Sequence, residues 1–154
     1  MSKRKKQVEE FFANYESLFN NSLSNGDFKG EGIAQSFEDF FIESSPHGVT
    51  CLKNDSKFLD NIRTAFDFYR NIGSKGMSIV SKEITLLDDV HAMAKIYWRY
   101  SYTKGDKEGT IDFTNFYFVT IRDQVKIFSF IAGDEQKALA EKGLMPEGAA
   151  VPSQ

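Results

Sequence analysis

Val8, Phe11, Phe12, Tyr15, Leu18, Phe19 and Leu23 recur at intervals of three and four, which predicts a long amphipathic helix near the start of the chain. Asn25-Gly26 is read as its stop, because glycine suits the left-handed position past a helix C-terminus. Ile33, Ala34 and Phe37 suggest a short second helix. Ser45-Pro46-His47-Gly48 is turn chemistry between two brief apolar runs, Phe40-Phe41-Ile42 and Val49-Thr50-Cys51-Leu52, and predicts a hairpin. Asn54 or Asp55 can cap the next helix, whose stripe is Phe58, Leu59, Ile62, Ala65, Phe66, Tyr69 and Ile72, with Gly73 as its stop.

After Met77 the period changes from helical to alternating. Strands are expected over 79–87, 91–103, 110–121 and 125–132, separated by the polar turns Asp88-Asp89, Lys104–Lys107 and Arg122–Gln124. Gly133-Asp134 opens a last short helix through Ala140, closed by Gly143. In the strand over 91–103, Ile96, Trp98 and Tyr100 are assigned to the interior because Lys95 and Arg99 occupy the opposite face. The two strands after it are apolar on both faces. Ile111, Phe113, Tyr117 and Val119 oppose Phe116 and Phe118, while Val125, Ile127 and Ile131 oppose Phe128 and Phe130. A second apolar face left in water predicts a partner, and a homodimer through the outer sheet face is expected.

Helices first and strands after define an α+β domain. The 154 residues suffice for one core, and 41% hydrophobic with 27% charged residues is ordinary globular usage. Three segments are expected: a basic tail over 1–6, a folded domain over 7–143 and a disordered C-terminal tail over 144–154. The net charge of −3 argues against nucleic acid, which needs clustered Lys and Arg. Lys3-Arg4-Lys5-Lys6 is the one basic run and reads as a solvated tail, not a targeting signal. Glu9, Glu10 and Asn14 interrupt the apolar residues behind it, so neither a signal peptide nor a membrane span is expected. The lone Cys51 excludes an internal disulfide and fits a reducing, cytoplasmic compartment.

The candidate chemistry is sparse. His47, in the turn, is placed for acid–base work or is simply an exposed turn residue; His91 reads as a surface residue. Glu43 flanks the same region and becomes a base if an apolar pocket raises its pKa. Asp112, if it projects inward between Ile111 and Phe113, needs a partner or a function. Two histidines and one cysteine without ligand spacing predict no metal site, and Gly26, Gly30 and Gly32 form no phosphate loop, so no cofactor is expected. Aromatics at 14%, fifteen of them Phe and one Trp, are the best sign of a pocket for a small hydrophobic ligand. Its expected lining is Tyr15, Phe41, Tyr69, Ile96, Trp98 and Tyr100, and a filled aromatic core is the equal alternative.

Ser24-Asn25-Gly26-Asp27-Phe28, Phe41-Ile42-Glu43-Ser44-Ser45-Pro46, Val90 through Trp98, and Val125 through Phe130 before Gly133-Asp134-Glu135 carry a resemblance over roughly residues 7–143. In their order and spacing they resemble the nuclear transport factor 2-like superfamily, which includes ketosteroid isomerase, scytalone dehydratase and the SnoaL-like polyketide cyclases. The resemblance implies a cone-shaped α+β roll, with N-terminal helices packed on the concave face of a strongly curved mixed, mainly antiparallel sheet. It also implies a pocket at the wide end and a dimer through the outer sheet face. The isomerase pattern is not met. Its tyrosine late in the first helix falls on Phe19, its hairpin aspartate on Ser45, and its strand aspartate near Thr114 or Asn115. The fold hosts isomerases, dehydratases, cyclases and association modules alike, so the resemblance assigns no reaction. The functional expectation is a small-molecule-binding domain. The alternatives are a lyase-, isomerase- or cyclase-type enzyme on a hydrophobic substrate and a non-catalytic dimeric association module.

Overall fold

A computed structural model describes residues 2–24, 29–133 and 135–144. The Asn25-Gly26 stop, most of the Ser24–Phe28 segment, Asp134 and the expected tail from residue 145 lie outside the described residues. The elements follow the order α1 (Lys3–Ser24), α2 (Gly30–Gln35), β1 (Phe37–Ser45), β2 (Gly48–Lys53), α3 (Ser56–Asn71), β3 (Ser74–Leu86), β4 (His91–Lys104), β5 (Lys107–Ile121), β6 (Val125–Ile131) and α4 (Glu135–Glu141). Six strands form one sheet in the order β2-β1-β6-β5-β4-β3. Every neighbouring pair is antiparallel except β1 with β6, which run parallel.

The helical stripe of α1 is buried as its spacing predicts, with Val8, Phe12, Tyr15, Phe19 and Leu23 all inside. The basic run is not a tail, however. Lys3–Lys6 form the first turn of α1; the Lys5 N–H donates to Ser2 Oγ at 3.1 Å. Arg4 Nη1 reaches across to the β3–β4 turn, donating to the Asp88 carbonyl at 3.1 Å and Asp89 Oδ1 at 3.2 Å. Long-stemmed Lys and Arg are good helix formers, and the Asp88 carbonyl and Asp89 carboxylate anchor Arg4 against the cost of positive charge at a helix N-terminus.

Asp55 caps α3, accepting from the Phe58 N–H at 3.1 Å with an extended backbone. Asn54 serves otherwise, donating to the Ala34 carbonyl at 2.7 Å and tying α2 to the start of α3. Gly73 ends α3 with φ +88°, and a Cβ there would run into the Thr103 carbonyl of β4, so only glycine fits this link into β3. Phe37 belongs to β1 instead of α2: the sheet claims the chain early, with the Ser36 carbonyl accepting from the Ile127 N–H at 2.8 Å. β3 likewise starts at Ser74, before any alternation is visible. Two side chains of α1 occupy its open edge. Asn20 accepts from the Met77 N–H at 2.7 Å and donates to the Met77 carbonyl at 2.6 Å, and Glu16 accepts from the Ile79 N–H.

β4 alternates between buried and accessible positions along almost its whole length, with Ala92, Ala94, Ile96, Trp98, Tyr100 and Tyr102 inside. In β6 the expected faces are corrected. The register slips by one residue where Phe118 pairs with Ser129 but Val119 pairs with Ile127. This bulge changes the parity of the side chains, so Phe130 joins Ile127 in the core while Ile131 is 43% exposed. At the C-terminal end, Leu144 is 3% exposed and its N–H donates to the Leu139 carbonyl at 3.0 Å, so this residue belongs to the core and not to a tail. Among the described residues no helix is long and apolar enough to cross a membrane.

Candidate functional site

The sheet curls around α1 and α3, and the interior between them is walled by aromatic rings. Tyr15 lies 6.3 Å from Trp98, 6.3 Å from Phe37 and 6.3 Å from Tyr117, measured between centroids. Phe19 lies 4.8 Å from Phe66 and 6.1 Å from Trp98. Tyr69 lies 6.0 Å from Tyr100, and Phe41 lies 4.7 Å from Phe37. The expected lining residues Tyr15, Phe41, Tyr69, Ile96, Trp98 and Tyr100 are thus all buried on the concave side.

A polar network runs through this wall. Trp98 Nε1 and Asn115 Nδ2 each donate to Tyr117 Oη at 3.1 Å, and the Gly133 N–H donates to Asn115 Oδ1 at 3.2 Å. Asn115 stands at or next to the place where the isomerase pattern asks for an acid, and an amide there can donate a hydrogen bond but cannot give up a proton. Tyr69 Oη donates to Glu135 Oε1 at 2.8 Å. Glu135 is partly accessible as a residue, while its carboxyl group is enclosed and meets Tyr69. Burial pushes that carboxyl up to about 7, the Tyr69 hydrogen bond opposes the shift, and the negative charge of Glu43 adds to it. Burial also raises Tyr117 to about 12, against the pull of the Asn115 and Trp98 donors and with a further push from Glu135. Tyr15 is raised by burial first, then by Tyr117 and Glu43.

Of the sequence candidates, only Glu43 belongs to this assembly. It shares the inward side of β1 with Phe41, its Oε2 is buried, and its charge is felt by both Tyr15 and Glu135. His47 sits exposed at the tip of the β1–β2 turn, its N–H donating to Ser45 Oγ at 3.1 Å. Asp112 does not project inward. Alternation in β5 buries Ile111, which sends Asp112 to the outer face, where Arg99 holds it through Nε at 2.8 Å and Nη2 at 3.0 Å. That pair is exposed on both sides, and the hydrogen bond from Arg99 lowers the Asp112 pKa. Asp112→Asn is therefore expected to shift the melting temperature by only a few degrees, by an amount that shrinks in high salt, and to leave interior ligand binding unchanged. A loss of binding in that variant, followed by calorimetry, would return Asp112 to the site.

Glu135 is the residue that sequence reasoning passed over. It is the last residue of the Gly133-Asp134-Glu135 segment, and its place becomes visible only through the parallel pairing of β1 with β6. Ser44 stands opposite Ile131, and the Ala132 N–H donates to the Ser44 carbonyl at 2.8 Å. The ends of the two strands thereby bring Glu43 and the first turn of α4 to the same rim. Among the described residues, no three His, Cys, Asp or Glu side chains converge as metal ligands.

A helix-covered, cone-shaped sheet with its polar groups gathered inside is the architecture of the nuclear transport factor 2-like fold. The model of the family described as NTF2-like protein (DUF6841) matches residues 4–135, and the chain belongs to that family. Solved structures agree on the fold. An NTF-2 like protein of unknown function from Shewanella oneidensis MR-1 is 16% identical, with a TM-score of 0.65 over 85% of this chain and 99% of its own. A ketosteroid isomerase-like protein from Erwinia carotovora atroseptica SCRI1043 is 9% identical, with a TM-score of 0.64 over 86% and 97%. An NTF2-like protein with a cystatin-like fold from Novosphingobium aromaticivorans is 13% identical, with a TM-score of 0.63 over 92% and 88%. No curated protein matches the chain significantly.

Proposed function

We propose that this chain is a small-molecule-binding domain whose hydrophobic ligand occupies the aromatic interior, entering at the rim marked by Glu43 and Glu135. The observation that supports this reading is the Glu135 carboxyl group. It is enclosed and hydrogen-bonded to Tyr69, yet it belongs to a residue that solvent still reaches. A carboxyl group kept inside beside a second one is a costly arrangement for packing alone, and it suits a site that recognises a polar feature of a ligand. Native mass spectrometry of protein purified from its source organism tests this directly. A retained adduct released on denaturation is expected; an apo mass, with no thermal shift across a library of small aromatic compounds, would overturn the reading.

One observation favours a lyase-, isomerase- or cyclase-type activity as the second reading. A carboxyl raised to about 7 matches the range a general base needs at neutral pH. The acid–base role would then fall to Glu135 with Glu43 beside it, not to His47 or Asp112. The ketosteroid isomerase-like name of one structural neighbour fits that reading but does not transfer its reaction.

The outer sheet face supports a homodimer. Met93, Tyr97, Phe116, Phe118 and Phe128 all remain partly accessible there, with Phe118 and Phe128 6.3 Å apart. Lys95 Nζ lies 5.0 Å from the Tyr97 ring and 5.7 Å from the Phe116 ring, a cation that rests on the aromatic patch without breaking it. Light scattering at micromolar concentration is expected to return the mass of two chains, and Phe118→Glu to return one. A one-chain mass for the unaltered protein removes the dimer.

A further inference from the structure

The side of α1 turned away from the interior carries a second pattern. Gln7, Phe11, Asn14 and Leu18 recur at intervals of three and four, beside the buried stripe of Val8, Phe12, Tyr15 and Phe19. They line one wall of a groove of about 520 Å³, with Gln35 at the end of α2 and Gln124 in the β5–β6 turn opposite them. Gly32 sets how closely the walls meet: a Cβ there would stand 2.9 Å from Leu18 Cδ2, so α2 rests directly on α1. Three of the chain's five glutamines thus reach one groove from three separate segments, with an asparagine among them. Among the described residues, none of these four side-chain amides is hydrogen-bonded within the chain, so each still offers a donor and an acceptor to whatever lies in the groove.

An amide presents its donor and acceptor side by side, which matches groups that carry both, hydroxyls above all. Two neighbouring hydroxyls of a sugar ring meet both ends of one amide and replace its waters with little loss. Phe11 supplies an apolar surface. It is half-buried, with its ring edge-on to Phe12 at 5.0 Å and nearly parallel to that of Tyr15 at 6.3 Å, and a ring held in this way offers a fixed face to the C–H side of a pyranose. Other ligand classes fit less well. Among the described residues that line the groove, Glu10 is the one charged side chain, so an anion meets repulsion and no cation. A wholly apolar molecule would strip four amides of water and return nothing. An extended peptide wants a row of partners along one edge, whereas these amides stand around the groove on three segments. Gln7 and Asn14 are two helical turns apart, about 10 Å along the axis, which is longer than one sugar ring.

We infer that this groove binds a neutral carbohydrate of at least two linked pyranose rings, held by Gln7, Asn14, Gln35 and Gln124 with one ring resting on Phe11. The site lies outside the cone and stands or falls independently of the interior-binding reading. The test is a titration of the intact, isotope-labelled protein with maltose, cellobiose, lactose and diacetylchitobiose, followed by NMR. At least one of these disaccharides is expected to shift the side-chain amide signals of the four residues and to bind about tenfold more tightly than its own monosaccharide. Gln7→Ala and Gln35→Ala are each expected to weaken that binding about fivefold, the worth of one hydrogen bond. Phe11→Leu, which keeps an apolar side chain but loses the flat face, is expected to weaken it also. The Trp98 indole signal reports on the interior, and it is expected to stay in place throughout. Its movement with the amides unmoved would put the sugar inside the cone and overturn the groove site. Absence of an amide shift with all four disaccharides overturns the inference, as does equal binding of the monosaccharide. Amide shifts with trialanine and with none of the sugars would give the groove to a peptide instead.

Discussion

Trp98→Ala is expected to cost about 3–5 kcal/mol of folding stability, which lowers the melting temperature of a chain of this size by roughly 6–20 °C. Trp98 is 2% exposed, touches Tyr15 and Phe19 through its ring and donates its only N–H to Tyr117. Alanine removes the ring and leaves a void in a wall whose neighbours come from α1 and β5, two elements that cannot both shift to fill it. It also takes one of the two donors away from the Tyr117 oxygen. Trp98→Phe separates the contributions, since it keeps an aromatic ring but loses the N–H; about 1–2 kcal/mol is expected from it. Denaturant unfolding followed by circular dichroism gives both values. A loss below about 1 kcal/mol for Trp98→Ala is incompatible with the packing described. Because the chain has a single Trp, its fluorescence reports on this interior alone, and a ligand that enters should change it.

How far the sequence reveals such a site depends on the range of the interactions that build it. Local rules were enough for α3, where the stripe, the Asp55 cap and the Gly73 stop are all visible in order. They were enough for β4 too, because strict alternation with Lys95 and Arg99 on one side leaves Trp98 only one place to go. The same rules misassign Phe130, since a one-residue bulge in β6 has no signature in the residues around it. They also leave Asp112 open, although its partner Arg99 lies directly across on β4; the register between the strands decides the pairing. Glu43 is recognisable as a candidate because it follows an apolar run in a hairpin. Its companion Glu135 is 92 residues away in sequence and reaches it through a parallel strand pair, a long-range contact for which alternation and turn chemistry give no cue. Polar networks are harder still. Tyr117 reads as one more core aromatic until Trp98 and Asn115 are seen to share its oxygen.

The same reasoning makes Glu135 a pH-sensitive weak point. Its carboxyl is raised from 4.5 to about 7 in the folded chain, with burial as the main cause and Glu43 as an added one. Below pH 4.5 the group is protonated in both folded and unfolded states and contributes nothing to the pH dependence. Between about 4.5 and 7 the folded state holds a proton that the unfolded state has released, so stability falls as pH rises through this window. Above about 7 the loss is complete, and it amounts to about 3 kcal/mol for a shift of this size. Glu135→Gln abolishes that decline while its amide oxygen can still accept from Tyr69. The variant is therefore expected to match the unaltered protein near pH 4.5 and to exceed it in stability by up to about 3 kcal/mol at pH 8. Glu43→Gln should act in the same direction but less strongly. It removes a like charge, so the midpoint of the decline moves to lower pH while the decline persists. Melting curves taken across this pH range for the three proteins separate the two residues. Parallel profiles for the unaltered chain and Glu135→Gln would show that the carboxyl is solvated, and the rim would then lose the acidic group on which ligand entry has been argued.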